Sequence, residues 1–314
     1  PMFTYDQKGI QIEGAELWLD ALRKVSFSFV SHGHADHLKN HLRILATPAT
    51  ASFHALRAKK AEVLLLNFGE TLEMEGMKIR LYPAGHILGS AMIHIERDGC
   101  SLLYSGDFKL RPSATCEPIE VPHADILITE STYGHPEYVV ERSRETLIEE
   151  LIGFISDCRR SGHTPVVLAY ALGKSQEAMK ILGDRGYGVR VFPSIWQMAQ
   201  VYQQFGVLFS NCAPWEGAAI GPEEVLIVPP HTAFTRALQF VPRRKTVFLS
   251  GWTHGGHGPG WRTDHRIPLS DHADFNELIE FTAMVQPQKI YTTHGFAGFS
   301  GHLRDLGYDA EMLA

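Results

Sequence analysis

Four potential metal ligands lie within six positions near the start of the chain, in the segment HGHADH at residues 32–37. Imidazole nitrogens and carboxylate oxygens bind zinc and other first-row metal ions in proteins. On an extended backbone, His32 and His34 point the same way because side chains two residues apart share a face, whereas Asp36 and His37 point elsewhere. This short segment could therefore supply ligands to two metal ions.

Four other segments place a ligand-type side chain at the end of a predicted strand. These are His86 in YPAGHILGS, Asp107 in LLYSGDF, Glu130 in ILITESTYG and His294 in IYTTHG. Strand ends converge at one edge of a sheet, where residues distant in sequence can form one site. Any one of these residues alone is more often an ordinary core or loop residue. Their combination with the first segment predicts a metal centre.

Periodicity separates a sheet-rich first half from a region in which strands and helices alternate. Glu75–Gly76 and Asp98–Gly99 are turn-forming pairs between β-type runs, and they predict two hairpins. Helical spacing begins near residue 137, and the alternation continues to about residue 245, which predicts a separate α/β unit. Residues 274–277 predict a helix that opens with a capping box.

Composition and charge limit the class of protein. The chain has 314 residues, of which 44% are hydrophobic and 20% charged, as in a globular protein of about two domains. We expect a cytoplasmic protein without membrane spans, because no apolar run has the necessary length and no signal peptide pattern is present.

The four cysteines lack C-x-x-C spacing, which argues against a cysteine zinc site. With a formal charge of −6, nucleic acid would have to be bound by local basic residues or metal ions.

The motifs in their order resemble those of a known fold family. HGHADH, AGHILGS, SGDF and THG resemble the metal motifs of the metallo-β-lactamase fold, and ESTYG, AYALGKSQE and LSDHADF resemble motifs of its beta-CASP nuclease branch. Within that branch, the chain most resembles the bacterial ligase-associated DNA exonucleases. The resemblance implies an α/β fold, an αββα metallo-β-lactamase sandwich with an inserted α/β beta-CASP domain. The expected parts are residues 1–135, the insertion at 136–245, and the returning part at 246–314.

The resemblance also implies two divalent metal ions, with zinc expected and manganese as the alternative. One ion would be bound by three histidines and the second by two histidines and an aspartate, and another aspartate would bridge both. The ligands of the first ion would be His32, His34 and His86, and those of the second Asp36, His37 and His294. The bridging aspartate would be Asp107.

Two metal ions in this arrangement suit phosphodiester hydrolysis. They lower the pKa of a bridging water, present hydroxide to the phosphate and stabilise the added negative charge. Asp36 can orient the nucleophile as well as bind metal. By resemblance, His272 protonates the leaving oxygen, and Glu130 would orient His272 and favour its imidazolium form.

The expected function is a metal-dependent exonuclease that acts on single-stranded DNA or free DNA ends in repair, with a functional link to a DNA ligase. His294 favours an alternative, because RNA nucleases of the branch tend to have histidine in the last metal motif and the eukaryotic DNA nucleases valine. A small-molecule ester or lactone hydrolase would share the metal motifs but would not need His272 or the insertion. An inactive scaffold would be expected to lack ligands, and this chain has all seven.

Two segments are candidate substrate contacts. ALGKS is not a nucleotide-binding loop, because Leu168 occupies a position where glycine is required. Lys174 and Ser175, at the start of a predicted helix, could bind a phosphate, or the segment could be a tight turn that packs the inserted domain. Arg262 and Arg266 could contact a DNA strand from the glycine-rich loop, or this loop could simply be solvated.

Overall fold

The computed structural model describes residues 1–252 and 262–313, except the side chain of Phe234. The chain forms two compact units, which consist of Pro1–Pro136 with His272–Ala314 and of Glu137–Asp271. Among the described helices, none has both the length and the apolar character needed to cross a membrane.

The first unit contains two sheets. One sheet has six strands, which lie side by side in chain order. They are β1 (Phe3–Asp6), β2 (Gly9–Ile12), β3 (Leu17–Leu19), β4 (Phe27–Phe29), β5 (Arg43–Ala46) and β6 (Glu62–Leu65). The second sheet has seven strands in the spatial order β19, β18, β11, β10, β9, β8, β7. They are β7 (Leu72–Met74), β8 (Met77–Pro83), β9 (Ala91–Arg97), β10 (Cys100–Tyr104), β11 (Ile126–Ser131), β18 (Lys289–Gly295) and β19 (Ala310–Met312).

The two sheets of the first unit share one hydrophobic core. Phe29 and Leu45 from the first sheet and Ile93 and Leu102 from the second are fully buried in the same cluster. The helices α1 (Pro48–Arg57), α5 (Phe275–Val285) and α6 (Phe299–Asp305) contact β6, β11 and β18, respectively. Because each sheet buries one face against the other and the helices pack outside, the unit is an αββα sandwich.

Both predicted hairpins are confirmed. Strands β7 and β8 pair antiparallel around Glu75–Gly76, and β9 and β10 around Asp98–Gly99. All four turn residues have positive φ angles, as the two-residue turn that matches strand twist requires. The capping box of α5 is also confirmed, because the Asp274 side chain accepts from the Glu277 backbone N–H while the Glu277 side chain accepts from that of Asp274.

The second unit is built around a parallel sheet. Its six strands have the order β14, β13, β15, β12, β16, β17, and every pairing between neighbours is parallel. They are β12 (Thr164–Leu168), β13 (Gly188–Val191), β14 (Cys212–Pro214), β15 (Glu224–Val228), β16 (Arg244–Leu249) and β17 (His265–Ile267). The helices are α2 (Arg144–Arg160), α3 (Lys174–Asp184) and α4 (Pro193–Gln204), with short 3₁₀ helices at Pro136–Tyr138, Pro230–Phe234 and Arg236–Phe240. This is the predicted α/β alternation.

The inserted unit extends further than the sequence predicts. We expect the return to the first unit at residue 246, but β16 and β17 pair in the sheet of the second unit, which ends at Asp271. A buried strand followed by a glycine-rich loop could belong to either unit. The sequence pattern between β16 and His272 therefore does not show where the second unit ends.

Gly295 offers a test of the close pairing between β18 and β11. Its φ is +150°, and a β-carbon there would lie 1.9 Å from the carbonyl oxygen of Ser131. We expect Gly295→Ala to lower the free energy of unfolding by about 2–5 kcal/mol, because it combines backbone strain with a backbone clash. Urea unfolding would measure the change. As a control, Gly301→Ala inside α6 meets only ordinary contacts, and it should stabilise the protein by about 0.5–1 kcal/mol. Equal stability of both variants would contradict this account.

Candidate metal centre

The second sheet directs four strand ends to one edge. Strands β8, β10, β11 and β18 run parallel to one another, because β9 is antiparallel to both of its neighbours and the later pairings are parallel. Their carboxyl ends lead into His86, Asp107, Glu130 and His294, respectively. The predicted convergence of strand ends is therefore present in the structure.

The HGHADH segment follows β4 of the facing sheet. Its backbone turns after His34, whose carbonyl oxygen accepts hydrogen bonds from His37 N at 3.1 Å and Leu38 N at 3.2 Å. The rings of His32 and His34 lie 4.9 Å apart. The turn returns the His37 ring to within 4.2 Å of the His32 ring. Extended backbone followed by one helical turn thus gathers three imidazoles from six residues.

Four predicted ligands form one compact group. His32, His34, His86 and Asp107 each offer a donor atom, and these atoms all lie within 4.8 Å of one another. Asp107 Oδ2 lies 3.4 Å from His32 Nε2 and 3.8 Å from His86 Nε2. His86 Nε2 lies 3.0 Å from His34 Nδ1. This is the donor group predicted for the first metal ion.

The other predicted ligands lie near the same aspartate oxygen. His37 Nε2 is 3.4 Å from Asp107 Oδ2 and 3.6 Å from Asp36 Oδ2. The His294 ring centroid lies 5.4 Å from that of His37. The Asp36 side chain is 78% exposed. One oxygen of Asp107 therefore lies 3.4 Å from Nε2 of both His32 and His37, as a ligand shared by two ions would have to.

Asp20 is a site residue that the sequence analysis missed. Its Oδ2 accepts hydrogen bonds from Ser31 Oγ at 2.6 Å, His37 Nδ1 at 2.8 Å and the Tyr104 hydroxyl at 2.9 Å. Its Oδ1 accepts from Ser31 N at 2.8 Å. The bond from His37 Nδ1–H fixes the tautomer that leaves Nε2 available as a ligand. Asp20 lies in LWLDA, a segment with no motif, so the sequence carried no local signal for this role.

Burial and neighbouring charges shift the pKa values of the buried residues of the site. Burial and the neighbouring His37 hold the pKa of His32 well below its usual value. Burial opposes the charged form of His37 as well, but Asp107 and Asp20 outweigh it and raise the pKa of His37 well above the usual value. Burial would likewise raise the pKa of Asp107, yet His37, His272 and His32 hold it well below the usual range. Asp107 is thus ionised among imidazoles.

These residues fit a divalent metal ion. His32 Nδ1 lies 2.9 Å from Ser31 Oγ, which itself donates to Asp20, so His32 Nε2 carries the lone pair. That buried Nε2 atom has no hydrogen-bond partner within the part of the chain that the structure describes. Buried polar atoms are rarely left without a partner, and a metal ion would satisfy this one.

An Asp20→Asn variant tests the supporting role of this carboxylate. Asparagine tolerates the left-handed backbone of position 20, where φ is 42°, but its amide cannot accept the same set of hydrogen bonds. We expect metal affinity to fall by about 10- to 100-fold, as measured by competition with a chelator. Tyr104→Phe is the control, because it removes one donor and keeps the carboxylate. A larger loss in the control than in Asp20→Asn would contradict the proposed orientation of His37.

His272 and Glu130 form a pair beside the metal ligands. His272 Nδ1 lies 3.3 Å from Glu130 Oε2, and His272 Nε2 lies 3.9 Å from Asp107 Oδ2. Glu130 is 1% exposed, and its second oxygen accepts from Phe108 N at 2.8 Å. With Nδ1–H directed at Glu130, the other ring nitrogen of His272 faces the metal ligands, as a proton donor to the reaction would have to.

Further contacts fix the backbone that carries His272. Ala273 N donates to Phe108 O at 2.8 Å, and Lys109 Nζ donates to His272 O at 3.0 Å and to Glu277 Oε2 at 3.1 Å. The other Glu277 oxygen accepts from two backbone N–H groups, at residues 110 and 111. Glu277 therefore caps α5 and also binds the segment that follows Asp107, so the two loops of the site are joined.

The predicted substrate contacts of the second unit have different surroundings. Lys174 is 2% exposed, and its ammonium group pairs with Glu177 and, at 2.9 Å, with Asp271. Ser175 is fully buried, and its hydroxyl donates to Tyr170 O at 2.6 Å. These contacts favour the tight turn that packs the inserted unit over phosphate binding, because both side chains already have protein partners.

The predicted arginine contacts lie beside the part of the chain outside the described residues. Arg262 is exposed. Arg266 is half-buried, with Nη1 3.4 Å from Trp252 O and the guanidinium 5.8 Å from the Phe248 ring centroid. The rest of the predicted glycine-rich contact loop, residues 253–261, is not among the described residues. A DNA contact by either arginine stays a prediction.

Comparison with known proteins adds independent information. Residues 264–311 match the family model described as Zn-dependent metallo-hydrolase RNA specificity domain. A protein named Probable DNA ligase from Opitutus terrae is 36% identical over 311 residues, which are 96% of this chain and 30% of that protein. An RNase J-like protein from Methanocaldococcus jannaschii is 33% identical, over 52% of this chain and 44% of that protein. Endoribonuclease YSH1 from Yarrowia lipolytica is 30% identical, over 52% of this chain and 17% of that protein.

The chain spans less than half the length of each of these relatives. The matched family model and these relatives support the fold described above. The chain has the metallo-β-lactamase fold with a beta-CASP insertion, and it belongs to the beta-CASP branch of that fold, where it resembles the ligase-associated nucleases.

Proposed function

We propose that the chain is a metal-dependent exonuclease that hydrolyses phosphodiester bonds at DNA ends, in DNA repair. One observation carries the proposal. Asp107 Oδ2 lies within 3.9 Å of an imidazole nitrogen from four histidines, and one of these, His272, is paired with the buried Glu130. The site thus combines a shared metal ligand with a positioned proton donor, which phosphodiester hydrolysis requires.

The proposed centre holds two divalent ions, with zinc preferred over manganese because imidazole ligands dominate. The first ion would be held by His32, His34, His86 and Asp107, and the second by Asp36, His37, His294 and Asp107. When bound, two such ions lower the pKa of a shared water molecule and offset the negative charge that develops on the phosphate.

The side chains of the protein supply the remaining steps. Asp36, which is largely exposed, orients the attacking water. His272 gives the proton on Nε2 to the leaving oxygen, and Glu130 holds the ring through Nδ1 and stabilises its charged form. A thioester substrate would not need this proton donor to the same extent, since a thiolate is a better leaving group than an alkoxide.

Two observations bear on the choice between DNA and RNA. The relative that matches 96% of this chain is named Probable DNA ligase, which supports DNA as the substrate and a ligase as a functional partner. The matched RNA specificity domain and the relatives named as ribonucleases favour RNA, as does His294. We prefer DNA because the match to the first relative includes almost every position of the chain.

The test is digestion of matched DNA and RNA oligonucleotides, labelled at either end, by metal-loaded protein. An Asp36→Ala variant serves as the control for contaminating nucleases. We expect DNA to shorten from one labelled end, with no digestion by the control. Preferential digestion of RNA would overturn the substrate assignment, and internal cuts in DNA would overturn the exonuclease assignment.

A further inference from the structure

Four lysines from three segments of the first unit line one surface cavity. The cavity has a volume of about 390 Å³ and lies beside the HGHADH segment. The lysines are Lys24, Lys39, Lys59 and Lys60, and we call them the lysine cluster. Their side chains extend from the loop before β4, from the residues after HGHADH and from the end of α1.

Specific contacts fix the backbone of the lysine cluster. Lys59 N donates to Asn40 Oδ1 at 2.8 Å, which joins the end of α1 to the segment after HGHADH. Val25 N donates to His41 Nδ1 at 3.2 Å, and Leu42 N donates to Val25 O at 3.2 Å, which joins this segment to the loop before β4. The positive charges are therefore brought together by the fold.

The lysine cluster has no compensating negative charge in the protein. Within residues 1–252 and 262–313, none of the four ammonium groups forms an ion pair with a carboxylate, and the nearby Glu62 pairs with Arg43 at 3.2 Å. The chain has a net charge of −6, but these four lysines without ion pairs make the surface around this cavity positively charged. Such a cluster attracts polyanions.

One ring nitrogen of the buried His41, which also lines this cavity, has no hydrogen-bond partner among the described residues. Burial lowers the pKa of His41 to about 4, so the ring is neutral near pH 7. Its Nδ1 accepts from Val25 N, so its Nε2 carries the hydrogen. This Nε2 has no hydrogen-bond partner among the described residues. Buried donors are rarely left without an acceptor.

We propose that the lysine cluster binds the phosphate groups of the nucleic acid strand that flanks the bond to be cleaved. The proposal deepens the nuclease function proposed above and rests on it. Lys39 follows Asp36 by three residues, so their α-carbons lie within about 11 Å of each other. This distance corresponds to roughly three base-pair steps along the axis of a DNA duplex. Lysine ammonium groups contact phosphates without reading bases, so binding is independent of sequence.

A double charge reversal tests the lysine cluster. We compare metal-loaded wild type with Lys59→Glu/Lys60→Glu on an oligonucleotide of about twenty nucleotides and on bis(p-nitrophenyl) phosphate. The control, Lys8→Glu/Lys78→Glu, makes the same charge change at two exposed lysines outside the cluster. All four substituted lysines are exposed, so we expect folding and metal content to be comparable among the three proteins.

We expect the cluster variant to bind the oligonucleotide more weakly and to hydrolyse the small diester normally. For the cluster variant, KM for the oligonucleotide should rise at least about tenfold. The slope of log(kcat/KM) against log salt concentration should become shallower by about 0.7 for each phosphate that the variant no longer neutralises. Hydrolysis of the chromogenic diester, which does not reach the cluster, should stay within about twofold of wild type. The control should resemble wild type on both substrates.

Other outcomes separate the two proposals. The lysine cluster proposal fails, and the nuclease function stands, in two cases. In the first, wild type and the cluster variant digest the oligonucleotide with the same KM. In the second, the control variant loses as much oligonucleotide binding as the cluster variant. If wild type hydrolyses only the chromogenic diester, the nuclease function fails and the cluster proposal falls with it. If poly-glutamate binds wild type but not the cluster variant, while oligonucleotide kinetics are unchanged, the cluster binds an acidic protein segment instead.

Discussion

An Asp107→Ala variant is expected to lose both metal ions together and to hydrolyse DNA at least about a thousandfold more slowly than wild type. One carboxylate oxygen lies 3.4 Å from Nε2 of both His32 and His37, and the group is ionised among imidazoles, so its removal takes a ligand from both proposed ions at once. Loss of metal assistance costs several kcal/mol of transition-state stabilisation, and each 1.36 kcal/mol corresponds to about tenfold in rate.

Elemental analysis of the purified variant, together with its rate on an end-labelled oligonucleotide, would measure both effects. Asp157→Ala is a suitable control, because Asp157 lies on the surface of α2 and its carboxylate pairs only with Arg160 among the residues that the structure describes. Loss of a single equivalent of metal from Asp107→Ala would show that Asp107 does not bridge. Full metal content with full activity would remove it from the site.

A His272→Ala variant should retain its metal content and lose about 10²- to 10⁴-fold in the rate of DNA hydrolysis, as loss of a general acid does. The imidazole is held by Glu130 and lies 3.9 Å from Asp107, so its proton is directed at the centre. A nitrophenolate leaving group needs no proton. We therefore expect a much smaller loss with bis(p-nitrophenyl) phosphate than with DNA.

The ratio of the two losses identifies the role of His272. Equal losses on both substrates would mean that His272 supports the metal ions and does not donate a proton. His231→Ala is the matched control, because His231 is exposed on a short 3₁₀ helix in the second unit. It should leave both rates unchanged.

Motif spacing predicted the ligand group that the structure brings together, because each motif lies where a strand ends and parallel strand ends share an edge. Asp20 could not be found in this way, since its role depends on contacts with Ser31, His37 and Tyr104, which only the folded sandwich creates. The ion pairs of Lys174 could not be predicted for a similar reason. Nothing in AYALGKSQE shows that Asp271, almost a hundred residues later, pairs with this ammonium group.

Because the second unit is inserted into the first, the residues of the site are synthesised at different times. The first donor group is complete once Asp107 has been synthesised, whereas His272 and His294 follow the whole second unit. At about 5–20 residues per second, roughly 8–33 seconds of translation separate Asp107 from His272. During that time, a nascent chain carries the donors for one metal ion and lacks the proton donor and the last ligand. Proposed nuclease activity is therefore withheld until the second unit, His272 and His294 have been synthesised.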